Sequence, residues 1–143
     1  MDRAVLDAAL KHHAPCGGWC PDGRLAEDAP IPDRYPLQEL KGGSYLDRTR
    51  QNVIDSDGTV IFHFGPVAGG TAATLGFCVE TGRPHLLVNA AEISANRAAE
   101  IIRAFVAEFG IAALNVAGPR ASEEAGAYPY ALAAVEALLS YDV

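Results

Sequence analysis

Basic charge is scarce in this sequence. Its 11 Lys and Arg stand against 18 Asp and Glu, giving a formal net charge of −7. A protein that tracks a nucleic-acid backbone needs a basic face, and one that adheres to an anionic membrane needs a basic patch, so neither partner is expected. Long hydrophobic runs are also missing. No stretch approaches the ~18 uninterrupted apolar residues of a membrane span, and Asp2, Arg3 and Asp7 interrupt the apolar residues where a secretory leader would lie. Cysteine is sparse and odd in number, 3 in all, which argues against a disulfide framework and for reduced thiols in the cytoplasm. Two nucleotide-binding signatures are absent as well: the glycines at 69 and 70 are not followed by the Lys of a phosphate-binding P-loop, nor do they sit in the GxGxxG order of a dinucleotide fingerprint.

What remains is a chain of 143 residues, half of them hydrophobic, which suits one domain with one core. Val5, Leu6, Ala9 and Leu10 share a helical face over 2–13, with Asp2 as a candidate cap. From Ala14 to Gly43 the texture changes, and 5 of the 9 prolines fall there. The segment CGGWCPDGRLAEDAPIPDRYP offers one short strand near Gly17–Cys20 and otherwise reads as a covering loop or interface arm. A polar helix capped by Ser44 follows to Asp55, and DSDG at 55–58 is a turn.

Three apolar runs come next: Val60–Phe64, Leu86–Val88, and AALNVAG at 112–118. Each precedes a helical segment, the first ending at Gly82 and Pro84, the second spanning about 94–109 and ending at Gly110, the third burying Leu132, Val135, Leu138 and Leu139. Apolar runs without polar alternation, each followed by a helix, define a doubly wound parallel α/β sheet. Its ligands collect at the turns after the strands, here Gly65–Thr71, Asn89–Ala91 and Gly118–Ser122.

Within GPVAGGT, Gly65, Pro66, Gly69, Gly70 and Thr71 are the candidate phosphate site. Glycine lets a ligand approach the backbone, and the free amides at a helix start favour an anion. The alternative is that Gly69 and Gly70 only permit tight strand-to-helix packing. In NVAGPRAS, Gly118 and Arg120 repeat the arrangement, with the Arg120 fork suited to a phosphate or carboxylate. Arg24, Glu27 and Asp28 lie in the covering loop, while Asp55 and Asp57 are placed beside the ligand edge, where carboxylates serve acid–base or magnesium chemistry unless they only shape the turn. Cys16 and Cys20 with His12 and His13 lack the second ligand pair of a zinc site, and Cys78 reads as a small core residue. Trp19 and Tyr35 are candidates for stacking on a planar ring or for subunit contact.

The motifs GGWCPDGRLAEDAPIPDRYPL, RTRQNVIDSDGTVIF, GPVAGGT and LNVAGPRAS resemble the putative molybdenum carrier family of bacterial proteins, and the resemblance runs from Asp2 almost to the C-terminus. It implies a Rossmann-like single domain over 1–143, related to the lysine-decarboxylase-like, or cytokinin-activating, proteins and to molybdenum cofactor carriers. It also implies a strand and a Ser-Gly-Gly-Gln-Thr-Gly turn ahead of Asp2, so the first strand and half of the expected phosphate cradle are expected to be absent from this chain. In the glycosidase relatives a catalytic Glu stands three residues after Gly-Thr; the corresponding position here is Thr74, which has no acidic proton to give near neutral pH.

The expected function is therefore a binding or carrier protein for a phosphorylated small molecule, a nucleotide or a molybdopterin-type cofactor. Gly65, Pro66, Gly69, Gly70 and Thr71 would hold the phosphate, Gly118 and Arg120 would close the site, and Trp19, Arg24 and Asp28 would approach from the loop. The alternatives are a nucleotide N-glycosidase using Glu27, Asp28 or Asp55, and a degenerate interaction module. A homodimer or higher homo-oligomer is expected from the apolar surface of the loop and last helix.

Overall fold

The structure, a computed structural model, describes residues 2–12, 16–21, 36–40, 44–119 and 124–140. Its elements in chain order are α1 (Asp2–Lys11), β1 (Trp19–Pro21), β2 (Gln38–Leu40), α2 (Tyr45–Ile54), β3 (Gly58–His63), α3 (Gly69–Thr81), β4 (His85–Asn89), α4 (Ala95–Phe109), β5 (Leu114–Ala117) and α5 (Ala127–Ser140). The three apolar runs are strands of one parallel sheet in the order β4-β3-β5. Ile61 stands level with Leu87 on one side and Ala117 on the other.

Helix boundaries follow from local chemistry. Ser44 and Asp47 form a reciprocal capping box at α2, and the Ser94 hydroxyl accepts the Arg97 N–H at α4. Gly82 and Gly110 close α3 and α4 in the left-handed conformation that glycine adopts without a Cβ penalty.

The sheet separates two cores. Val60, Phe62 and Val88 point to one face, where Ala4 of α1, Ala98, Ile102 and Phe105 of α4, and Ala131 and Ala134 of α5 cover them. Ile61, one residue out of phase, points to the other face and meets Val53 of α2 and Cys78 of α3. Cys78 is thus a core residue, and burial pushes its thiol up from the ordinary value. The last helix is tied to the first by the Tyr128 hydroxyl on Asp7 and by Lys11 with Glu136 at 3.1 Å.

Burial on both faces holds for β3 and fails for its neighbours. Leu87 is 41% exposed, and all four residues of β5 are only half-buried. Both are outer strands among the described residues, with helices stacked chiefly over the centre. The strand expected near Gly17–Cys20 is β1; its parallel partner β2 was not foreseen, and the pair forms a separate two-stranded sheet in the register Trp19 to Gln38.

Gly58 opens β3 against a close neighbour: a Cβ there would come within 2.4 Å of Ile111 Cδ1 and 3.4 Å of Phe105 Cζ. Gly58→Ala is expected to cost about 1–3 kcal/mol by overpacking. The loss should be smaller in an Ile111→Val background, which removes the clashing methyl. Urea midpoints of the two singles and the double measure this coupling, and strict additivity would refute it.

Candidate functional site

Strand β3 hands its chain to α3 over one face, whereas β4 and β5, on either side of it, hand theirs to α4 and α5 over the other. Where successive connections leave a parallel sheet on opposite faces, the turns part and leave a crevice beyond the strand ends. Gly65–Thr71 stands at its centre, flanked by the turns after Asn89 and Ala117.

The centre of the crevice is a bare helix start. Ala68 is the N-cap residue of α3, with φ −150° and ψ 170°, and it has no side chain able to cap. Ala72 N–H closes the first helical bond onto Ala68 O at 3.2 Å, which leaves the N–H groups of Gly69, Gly70 and Thr71 without an acceptor among the described residues. These are the orphan donors of a helix terminus, at the positive end of its dipole. Gly69 has φ 55° and Gly65 has φ 90°, so two backbone turns that other residues resist shape the approach. A Cβ added at Gly70 or Gly65 would meet nothing within 4 Å, so both face open space. Pro66, Gly69 and Gly70 are exposed, while Thr71 turns inward and is buried.

Two side chains hold this turn: Asn89, which opens the expected ligand turn Asn89–Ala91, and His63, which sequence reasoning passed over. His63, the last residue of β3, has Nδ1 2.6 Å from Gly65 O. Asn89, the last residue of β4, accepts the Gly65 N–H at 3.4 Å and the Ala91 N–H at 3.1 Å through the same Oδ1. The available signal was positional: polar residues ending apolar strands at a ligand edge. Their pairing depends on the register His63 to Asn89, which only the sheet supplies.

Thr74, in place of the glycosidase Glu, donates its hydroxyl to Gly70 O at 3.0 Å and is buried. It works as an internal support of the first helical turn. Gly118, half-buried, follows β5 on the same edge. Arg24, Asp28 and Arg120 lie outside the described residues, as do Glu27, Tyr35 and His13; for Trp19 and Cys20 the strand backbone is described and the side chains are not. Among the described residues no three His, Cys, Asp or Glu side chains gather as metal ligands, and no helix is long and apolar enough to cross a membrane.

Asp55 and Asp57 are not at the ligand edge. They precede β3, so a strand of six residues, roughly 20 Å at the usual rise, separates them from Gly65. The expectation failed because a turn leading into a parallel strand lies at the edge opposite the turn leading out of it. Asp57 instead accepts the Ala112 and Ala113 N–H groups at 3.1 and 2.8 Å, pinning the start of β5 to the start of β3. Those bonds, Ala113 first, hold its carboxyl below the ordinary value.

A carboxyl lowered on folding stabilises the native state above its unfolded pKa, and that contribution is lost as pH falls through the lower, folded value. Asp57→Asn is therefore expected to be less stable than wild type at pH 7 and to lose stability less steeply below about pH 4. Urea midpoints measured across that range check both parts.

The fold and the crevice together define a Rossmann-like α/β protein with an uncapped helix terminus at its switch point. The chain matches the model of the circularly permutated YpsA SLOG family over residues 1–139 and belongs to that family. It is also similar to a crystal structure named putative molybdenum carrier protein from Syntrophus aciditrophicus SB, at 43% identity and a TM-score of 0.93, covering 96% of this chain and 87% of that one. No curated protein gives a significant match.

Proposed function

We propose that this chain is a binding or carrier protein for a small anionic ligand, a phosphorylated molecule such as a nucleotide or molybdopterin-type cofactor, seated on the amides of Gly69, Gly70 and Thr71. The observation that carries this is the uncapped start of α3: three N–H groups lacking an acceptor among the described residues, beside glycine positions that face open space. Backbone amides at a helix start bind phosphate without lysine or arginine, which is how a chain of net charge −7 holds an anion. The name of the similar Syntrophus structure agrees with a carrier role. In this proposal Gly118 and Arg120 close the crevice, and Trp19, Arg24 and Asp28 approach from the segment between α1 and β2.

Catalysis of the glycosidase kind has little to draw on among the described residues. Thr74 is engaged with Gly70, and Asp55 stands at the far edge. The proposal is tested by titrating the protein with inorganic phosphate, adenosine monophosphate and molybdate while following backbone amide resonances. Shifts concentrated at Gly69–Thr71, with a raised melting temperature, are expected; unchanged resonances at those residues with every ligand would remove the anion site.

A further inference from the structure

We infer that His63 and Asn89 are positioning residues that clamp the Gly65 backbone on both sides of its Cα and so set the anion-facing shape of the glycine turn, an inference that rests on the anion site proposed above. The clamp engages both polar groups of Gly65: Asn89 Oδ1 takes its N–H, and His63 holds its carbonyl. A carbonyl oxygen only accepts, so His63 Nδ1 must carry the proton. In the neutral ring that leaves Nε2 as a bare acceptor. Asn89 is fixed in the same way: two N–H groups on Oδ1 determine which side of the amide carries the NH2.

The clamp suits a backbone that would not hold itself. Gly65 sits at φ 90° with nothing within 4 Å of where a Cβ would stand, a conformation in which glycine is permitted but not fixed. No contact holds the residue from the open side, so its conformation is set from the strand ends, by one side chain from β3 and one from β4.

A second property follows from the unused nitrogens. Neither Asn89 Nδ2 nor His63 Nε2 has a partner among the described residues, yet no half-buried or buried side-chain nitrogen there is both unbonded and shielded from solvent. Both nitrogens therefore reach solvent at the crevice edge of the sheet. Asn89 brings no charge to that edge, and an aspartate in its place would keep both accepted hydrogen bonds while adding a negative charge beside the turn.

That difference separates a positioning role from a merely structural one. With inorganic phosphate as the probe, Asn89→Ala and His63→Ala should each weaken binding about fivefold through a loosened turn. Asn89→Asp should restore the melting temperature and the Gly65 amide resonance toward wild type, yet bind phosphate about tenfold more weakly than wild type. Nitrogen chemical shifts of His63 should show Nδ1 protonated and Nε2 bare in the neutral ring. Phosphate affinity unchanged in all three variants, or a His63 ring protonated on Nε2 alone, overturns the clamp even when wild type binds phosphate. Failure of wild type to shift at Gly69–Thr71 is a different result, which removes the anion site itself and the positioning role with it.

Discussion

Ala68→Asp is expected to make the protein more stable and to weaken the proposed anion binding, two effects of opposite sign from one side chain. Ala68 occupies the N-cap of α3 in the extended conformation that a capping aspartate adopts, and it is exposed. Replacing Ala by Asp at such a position contributes about 1 kcal/mol, or about 2–4 °C in melting temperature for a domain of this size. The carboxylate would take the N–H groups otherwise offered to the ligand and place a like charge where the anion must sit. Affinity should fall by more than about tenfold. A scanning calorimetry trace together with a phosphate titration decides the matter. If Ala68→Asp binds phosphate as wild type does, the ligand does not sit on the α3 terminus.

The second large effect is expected in the core. Phe62 is fully buried on the central strand, and its ring meets Tyr130 edge-on, with centroids 5.4 Å apart and planes at 80°. Phe62→Ala removes that contact and leaves a cavity between β3, α4 and α5, at a cost of about 3–5 kcal/mol. Against a total near 5–15 kcal/mol, much of the chain should be unfolded at moderate urea. Leu87→Ala, on a flanking strand where the side chain is 41% exposed, should cost less than about 1 kcal/mol. Similar losses for the two would mean that the core is not centred on β3 between α4 and α5.

The central strand, the order of helices and strands, and the location of the glycine turn were legible because each is written in contiguous residues. Gly82 and Gly110 mark helix ends by their own conformational freedom, and the Ser44–Asp47 box is complete within four residues. Elements that depend on a distant partner were not legible. Strand β2 has three residues and no repeating pattern, and it exists as a strand only because β1 lies beside it. The exposure of Leu87 depends on how far α3 reaches across the sheet, which a run of three apolar residues cannot encode.

The candidate site divides in the same way. Gly65, Gly69, Gly70 and Thr71 lie in one short stretch of the chain, so they can be grouped as candidates without knowledge of the fold. His63 and Asn89 are separated by a whole helix and become partners only through the register of β3 with β4. Asp55 and Asp57 were misplaced for a geometric reason: sequence proximity to a strand does not say at which of its ends a residue lies, and strand direction does.

The pairing of α1 with α5 carries one more consequence. Tyr128 meets Asp7 and Glu136 meets Lys11, so both helices advance in the same sense. Connectivity orients α2, α3, α4 and α5 alike, each beginning beyond the carboxyl ends of the strands. Five macrodipoles therefore add instead of cancelling, and the molecule is polarised along the strand direction. An approaching anion meets a net repulsion from −7 at long range, then a local attraction confined to one rim within about a Debye length, ~8 Å in physiological salt. Orientation on encounter is thereby built into the parallel arrangement of the helices, before any side chain at the rim has made contact.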